Sequence, residues 1–552
     1  MRLARKDQER TLNVQKRYLR KSAIILILIP AVFLQCCVLP TPKGPAQQGS
    51  GTPLETEGPP HEAPPDVLPQ TPGEFTLRYD PNASLNPITT LNRDSILLSS
   101  LLYESLFVLD GSLNTIPLLC ANWFSEDNTV FTFEIKPDIA MSDGTLLTAE
   151  DVVYSIRQAM ARGRFVNRLR TISAIAVAGD LTVSIGLQSP NNRFISLLDI
   201  PIIKSGSIDS SVPPGTGPFI LAGADQLRLD AFTGHRDFFQ LPVSSIRLIS
   251  CTDSELTELF DGGQLSVLWE DPFDTFDLRL NRLRDTRYYD TTSLLYIGFN
   301  SNHIALRYPD VRRAISVSID RQDIVEDIMG GHALPSPLAL SPAFHLYDEE
   351  WEHRNLPPLR EMAELLVRTG LEDFNDDTFL ELSDGLGGYR EFTINFIVNS
   401  ENIHKVQVAH AITNTLRRNG LNVTVRELTW ERFLNALRTG DFDMYLGETA
   451  LGADFNLTPL LLPGALNYGK TADAEHYRPF IESFLMARSD DGIRSAAKDL
   501  INEIMFNAPY APILYKKYAI YSPIGAIFAA NPSQSGAFHN FAGWTINQYM
   551  LT

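Results

Sequence analysis

Ten prolines crowd the 36 residues from Val38 to Gly73, and they divide the chain into parts that obey different physics. A stretch this rich in proline, filled out by Gly, Gln, Thr and Glu, buries too little apolar surface to offset the entropy of ordering it. Residues 38–73 therefore read as a semi-extended tether. At about 3.1 Å per residue such a tether would reach roughly 110 Å when fully extended. Anything that folds lies to one side of it. The part that follows is too long for one hydrophobic core, so two or three domains are expected there.

The part that precedes it is a targeting segment. Arg2, Arg5, Lys6, Arg10, Lys16, Arg17, Arg20 and Lys21 form a basic stretch, and the apolar run Ala23–Leu34 follows at once, broken only by Pro30. A basic region ahead of about a dozen apolar residues is a secretory signal, too short for a comfortable transmembrane helix. Leu34-Gln35-Cys36-Cys37 resembles a lipoprotein signal, in which the first residue after cleavage is a cysteine that receives the lipid. Gln35 or Cys36 stands where a small residue is usual, so an uncleaved signal anchor is the alternative to lipidation of Cys36 or Cys37. Either way the body lies outside the cytoplasmic membrane, with residues 1–37 as its signal.

The chain carries a net charge of −19, while its first 35 residues carry +6, which leaves the remainder strongly acidic. Phosphates would be repelled, which argues against nucleic acid as a partner. Cys120 and Cys251 lie in apolar stretches and read as thiols rather than a disulfide. No CxxC or Cys/His spacing suggests a metal, and no cofactor is expected.

Within the body, Glu74–Tyr79 and Thr129–Ile135 alternate as strands, and Ser95–Phe107 has helical spacing. Ser142-Asp143-Gly144 is a turn, and Thr148-Ala-Glu-Asp151 is a capping box opening a helix with Val152, Val153, Ile156 and Met160 on one face. Asp310–Ser318 and Arg321–Met329 read as helices, the second capped by Asp320 and stopped by Gly330-Gly331. Helix 404–419, strand 422–428, helix 430–439 and strand 441–446 form an αβαβ unit.

Six stretches in order resemble the family-5 extracellular solute-binding proteins, the dipeptide/oligopeptide-binding group. They are Leu102–Asp110, Met141–Ser155, Gly215-Thr-Gly-Pro-Phe219, Val311–Ile315 with Ile319-Asp-Arg321, Gly440-Asp-Phe-Asp-Met444, and Asn507–Tyr515. Met141-Ser-Asp-Gly-Thr-Leu-Leu-Thr-Ala-Glu-Asp-Val-Val-Tyr-Ser155 is the most diagnostic, with Met141 and Leu146 as departures. The resemblance runs from about residue 75 onward. It implies an α/β, periplasmic-binding-protein-like fold (type II, cluster C): two lobes around a cleft, with an extra inserted domain and hinge closure on ligand. The expected division is lobe I from 74–90, 200–295 and 515–552, an inserted domain at 91–199, and lobe II at 296–514. The motifs themselves read as turns, caps and crossings rather than ligand contacts.

The resemblance also implies an extended peptide held by backbone pairing, its charged ends met by ionised side chains. A buried ammonium needs a carboxylate. The family places one in the loop after the Gly440–Met444 strand, here Gly447-Glu-Thr-Ala-Leu-Gly-Ala-Asp-Phe-Asn456. Glu448 stands at a tryptophan position and Leu451 at an early aspartate position, so Glu448, Thr449 and Asp454 are the candidates. Asn399 and Ser400 occupy a strand end expected to face the cleft. Asn92 and Arg93 precede the first helix. Trp269 and Trp430 read as packing or hinge residues.

The expected function is capture of a peptide, monomerically, for delivery to the permease subunits of an ABC importer. A hydrolase lacks support: there is no GxSxG, HExxH, P-loop or suitably placed GxGxxG, and His404 and His410 sit six apart on different helix faces. A sensory ectodomain on the same fold, lacking a second span or signalling module before Thr552, is an alternative. So is a binder of a nickel complex, haem or sugar.

Overall fold

The computed structural model describes residues 73–222, 227–274, 278–355, 362–462, 468 and 474–551. The signal, Cys36, Cys37 and the tether up to residue 72 lie outside these residues.

The body opens with strand β1 (Thr76–Arg78) and helix α1 (Arg93–Leu102). Asn92 is the N-cap of α1, its side chain accepting from Ser95 N at 3.0 Å. Then comes the inserted part: strands β2 (Cys120–Ser125) and β3 (Val130–Ile135), helix α2 (Ala149–Ala161), and strands β4 (Ile172–Gly179) and β5 (Thr182–Leu187). They make a four-stranded antiparallel sheet in the order β2-β3-β5-β4. The capping box forms as expected: Asp151 N donates to Thr148 Oγ1, and Thr148 N donates to Asp151 Oδ2 at 3.0 Å.

The chain then returns through β6 (Phe219–Ala222), β7 (Arg228–Ala231) and β8 (Ser245–Ile249) to lie beside β1, in the order β1-β8-β7-β6. Here β1 runs parallel to β8, with Leu77 opposite Leu248. This pairing closes over the whole inserted part. The inserted part does not keep its apolar surface to itself: Phe131, Phe133, Val152 and Ile156 share one buried cluster with Phe75, Leu77, Ile246 and Leu248. Each such side chain contributes about 1.5–3 kcal/mol when fully buried, which welds the two sheets together.

The remaining elements are β9 (Leu268–Glu270), β10 (Arg284–Phe299), α3 (Pro309–Ser318), β11 (Ile394–Asn399), α4 (Ile403–Arg418), β12 (Val423–Leu428), α5 (Trp430–Thr439), β13 (Met444–Ala450), α6 (Arg478–Met486), α7 (Asp490–Asn507) and β14 (Tyr510–Pro523). They build a seven-stranded mixed sheet, ordered β9-β14-β10-β13-β11-β12, with Ala333–Pro335 paired to β14. The αβαβ unit is its parallel edge, β11 pairing in parallel with both β12 and β13. Both faces are covered, as parallel pairing requires. Tyr296, Ile397 and Tyr445 face Phe433 of α5, Phe484 of α6 and Leu500 of α7. Their neighbours Ile297, Phe396 and Leu446 face Val311 of α3 and Ile412 of α4. The expected helix 321–329 forms over 321–328, capped by Asp320: an α-helical turn, Arg321–Asp323, passes directly into a wider π-helical turn, Ile324–Ile328.

Two motif arginines act within the scaffold. Arg312, 6% exposed, donates to the carbonyls of Leu306, Asn507 and Ala508, closing the end of α7. Arg321 donates to Pro512 O and Ser316 O. The expected lobe boundaries at 295/296 and 514/515 fall inside β10 and β14, two long strands that pass through those positions and pair along most of their length. Cys120 and Cys251 are free thiols.

Candidate functional site

A cavity of ≈820 Å³ opens between helix α1, the helical turns and loops of the inserted part, the loops beside the β1-β8-β7-β6 sheet and the β9-β14-β10 end of the large sheet. Its size falls in the range of about 300–1,000 Å³ that encloses small ligands. Helix α1 brings Arg93, Leu97 and Ser100 to the wall, and the turn after α2 brings Arg164, Phe165 and Arg168. The loop after β7 adds His235 and Arg236, the large sheet adds Trp269, Tyr289 and Tyr518, and the chain 533–542 completes the enclosure. Gly217 lets the wall close: a Cβ there would lie 2.3 Å from the Leu102 carbonyl carbon.

Charge in the wall is mostly paired. Glu104, 7% exposed, accepts both Arg236 Nη1 at 2.9 Å and Nη2, with His235 Nε2 at 3.4 Å. Burial would raise the Glu104 carboxyl, but the hydrogen bonds from His235 and Arg236 outweigh it and hold it below the ordinary range. Arg168 is ion-paired with Asp199 and donates to Leu197 O, and Asp199 accepts from Ser535 Oγ at 2.8 Å. Arg93 lies 4.6 Å over the Trp269 ring and donates to that residue's carbonyl, while Trp269 Nε1 donates to the Tyr289 hydroxyl.

A buried chain of charges runs inward from the wall at Asp271. Lys516, 3% exposed, bonds to Asp271 and, at 2.9 Å, to Glu448 Oε1. Lys405 Nζ is 2.8 Å from Glu448 Oε2, and Ser293 Oγ donates to Oε1 at 2.9 Å. Burial alone would raise the Glu448 carboxyl, but Lys516 and Lys405 bring it down to about 2.

Of the residues singled out from sequence, Arg93 and Trp269 line the cavity, whereas Glu448, Thr449, Asp454, Asn399, Ser400 and Asn92 lie around it. Glu448 has both oxygens occupied by lysines and is connected to the wall through Lys516 and Asp271. Thr449, on β13, is half-buried opposite Leu294 of β10. Asp454 is 4% exposed, points at Asn191 of the inserted part and accepts its Nδ2 at 2.8 Å. Burial pushes its carboxyl up. Asn399, 9% exposed, accepts Glu401 N, and Ser400 N donates to Leu428 O. Asn92 caps α1 between two wall residues, Leu91 and Arg93. Trp269, read from sequence as packing, is in the wall, whereas Trp430 is 48% exposed on α5.

Sequence reasoning passed over Glu104, Arg164, Arg168, His235 and Arg236. One signal was available: Arg162, Arg164, Arg168 and Arg170 cluster within nine residues of a strongly acidic body. One carboxylate group, Asp373, Asp377 and Glu381, brings ligand atoms within 4.8 Å of one another, but none of the three lines the cavity. Asp373 already accepts the backbone N–H groups of Asp377 and Thr378.

The oligopeptide-binding protein AppA of Bacillus subtilis is 20% identical over 453 residues, spanning 77% of this chain and 79% of AppA. The structure of AppA in complex with a nonapeptide aligns over 86% of this chain and all of AppA, with a TM-score of 0.60 at 17% identity. NikA from Brucella suis, in complex with Fe(III)-EDTA, aligns over 86% of this chain and 99% of its own, with a TM-score of 0.66 at 18% identity. These likenesses establish the α/β two-lobed fold. Residues 114–467 match the family model described as bacterial extracellular solute-binding proteins, family 5 middle, and the chain belongs to that family.

Proposed function

We propose that this chain is the capture component of an ABC importer: it takes a peptide-sized solute into the cavity and hands it to the permease subunits. No covalent bond is made or broken. The observation that carries this reading is the ≈820 Å³ cavity between the inserted part and the end of the large sheet, walled by aromatic faces and by charges, in a chain of this family. In the same reading 74–90, 200–295 and 515–552 form lobe I, 91–199 the inserted domain and 296–514 lobe II. The lobes flex about β10 and β14, the two long strands that run through the lobe boundaries. Acylation at Cys36 or Cys37 would hold a monomer on the outer face of the membrane, and residues 38–73 would let it search for its permease.

A second reading, an anionic solute that is not a peptide, is favoured by the arginines of the wall. Calorimetric titration with a tripeptide library and, separately, with Fe(III)-EDTA tests both. Stoichiometric heat with the intact peptide recovered supports peptide capture, and heat with the chelate alone supports the second reading. Cleaved peptide, or no heat from either, refutes the proposal.

A further inference from the structure

We infer that the cavity selects its ligand by an anionic end held at Arg164, and that a free amine on the ligand is not required. This rests on the reading of the cavity as the solute site. It follows from asking which charges in the wall are already satisfied.

The carboxylates come first, because they would receive an ammonium. Glu104 is held by Arg236 and His235, Asp199 by Arg168, and Asp271 by Lys516. Asp237 has Arg236 Nε at 3.7 Å, and Asp274 is engaged within the protein. Glu448 and Asp454, where a peptide amine would be sought from sequence, are taken by two lysines and by Asn191. Among the described residues an incoming ammonium therefore meets carboxylates that already have a cation or amide beside them. Drawing one away would strand a buried cation, which is costly.

The cations read the other way. Arg93, Arg168 and Arg236 each have a carbonyl or carboxylate. Arg164 has neither among the described residues. Its guanidinium rests 4.7 Å over the Phe165 ring and opens into the cavity. It is exposed to solvent, and it sits near enough to Arg168 for the two like charges to repel. A planar guanidinium with five donors, one face on an aromatic ring and its edge free, is built for a bidentate carboxylate. A ligand carboxylate supplies two charge-assisted hydrogen bonds and relieves that repulsion together. Such a local cationic spot matters more because the body around it is acidic and offers little else to an anion.

The test is calorimetry on the purified protein with one tripeptide library in three forms: free ends, N-acetylated, and C-amidated. Acetylation is expected to change affinity by less than threefold, and amidation to weaken it tenfold or more. Arg164→Gln, which removes no hydrogen bond or ion pair among the described residues and should leave the melting temperature nearly in place, is expected to bring the free acid down to the affinity of the amide. Arg164→Lys should recover part of the loss. If acetylation abolishes binding while amidation is tolerated, or if Arg164→Gln weakens acid and amide equally, the Arg164 assignment falls and peptide capture stands. If no form binds, the reading of the cavity as a peptide site falls and takes this assignment with it.

Discussion

Replacing Glu448 by Gln keeps the shape of the side chain and removes the charge between Lys405 and Lys516. Its carboxyl drops from an ordinary 4.5 to about 2 in the folded protein. At 1.36 kcal/mol per pH unit, this corresponds to about 3 kcal/mol of stability at neutral pH. The sign follows from the lowered value. The unfolded chain takes up the proton first, so the contribution is complete above about pH 5 and drains away as pH falls towards 2. At pH 3 about 1 kcal/mol should remain. Urea unfolding of wild type and Glu448→Gln at pH 7 and at pH 3 reads this directly, since groups common to both proteins cancel in the difference. The expected result is a large gap at pH 7 that shrinks at least twofold at pH 3. A gap of equal size at both pH values would mean that the glutamate serves by packing alone, and no gap at pH 7 would mean that the lysines do not depend on it. Either refutes the electrostatic account.

Asp454→Ala leaves the buried Asn191 amide without its acceptor and should cost about 2 kcal/mol in urea unfolding, while peptide affinity stays within about threefold. A tenfold loss of affinity at unchanged stability would return Asp454 to the ligand. Gly217→Ala forces a Cβ to within 2.6 Å of Leu101 O and Tyr103 N as well as the Leu102 carbonyl carbon, all backbone atoms at the end of α1. It should cost at least about 1–3 kcal/mol and lower the thermal midpoint, and an unchanged midpoint would show that this crossing has room.

What the amino-acid sequence settled by itself is what short-range physics controls. The Thr148–Asp151 capping box, the turn at Gly144 and the alternation of the 404–446 unit each depend on residues a few positions apart, and each appears close to where it was expected. The order of six motifs carried the family in the same way, because those motifs encode crossings and caps such as Arg312 on the end of α7. The site was different. Glu448 meets Lys516 across 68 residues and Asp454 meets Asn191 across 263, so nothing local announces that these carboxylates are already occupied. Arg164 is the converse: a basic run is visible in sequence, but only the tertiary structure leaves this guanidinium without a carbonyl or carboxylate among the described residues while giving both to Arg168. Whether a charge is free is a property of everything packed around it, and that is decided when segments distant in sequence pack together.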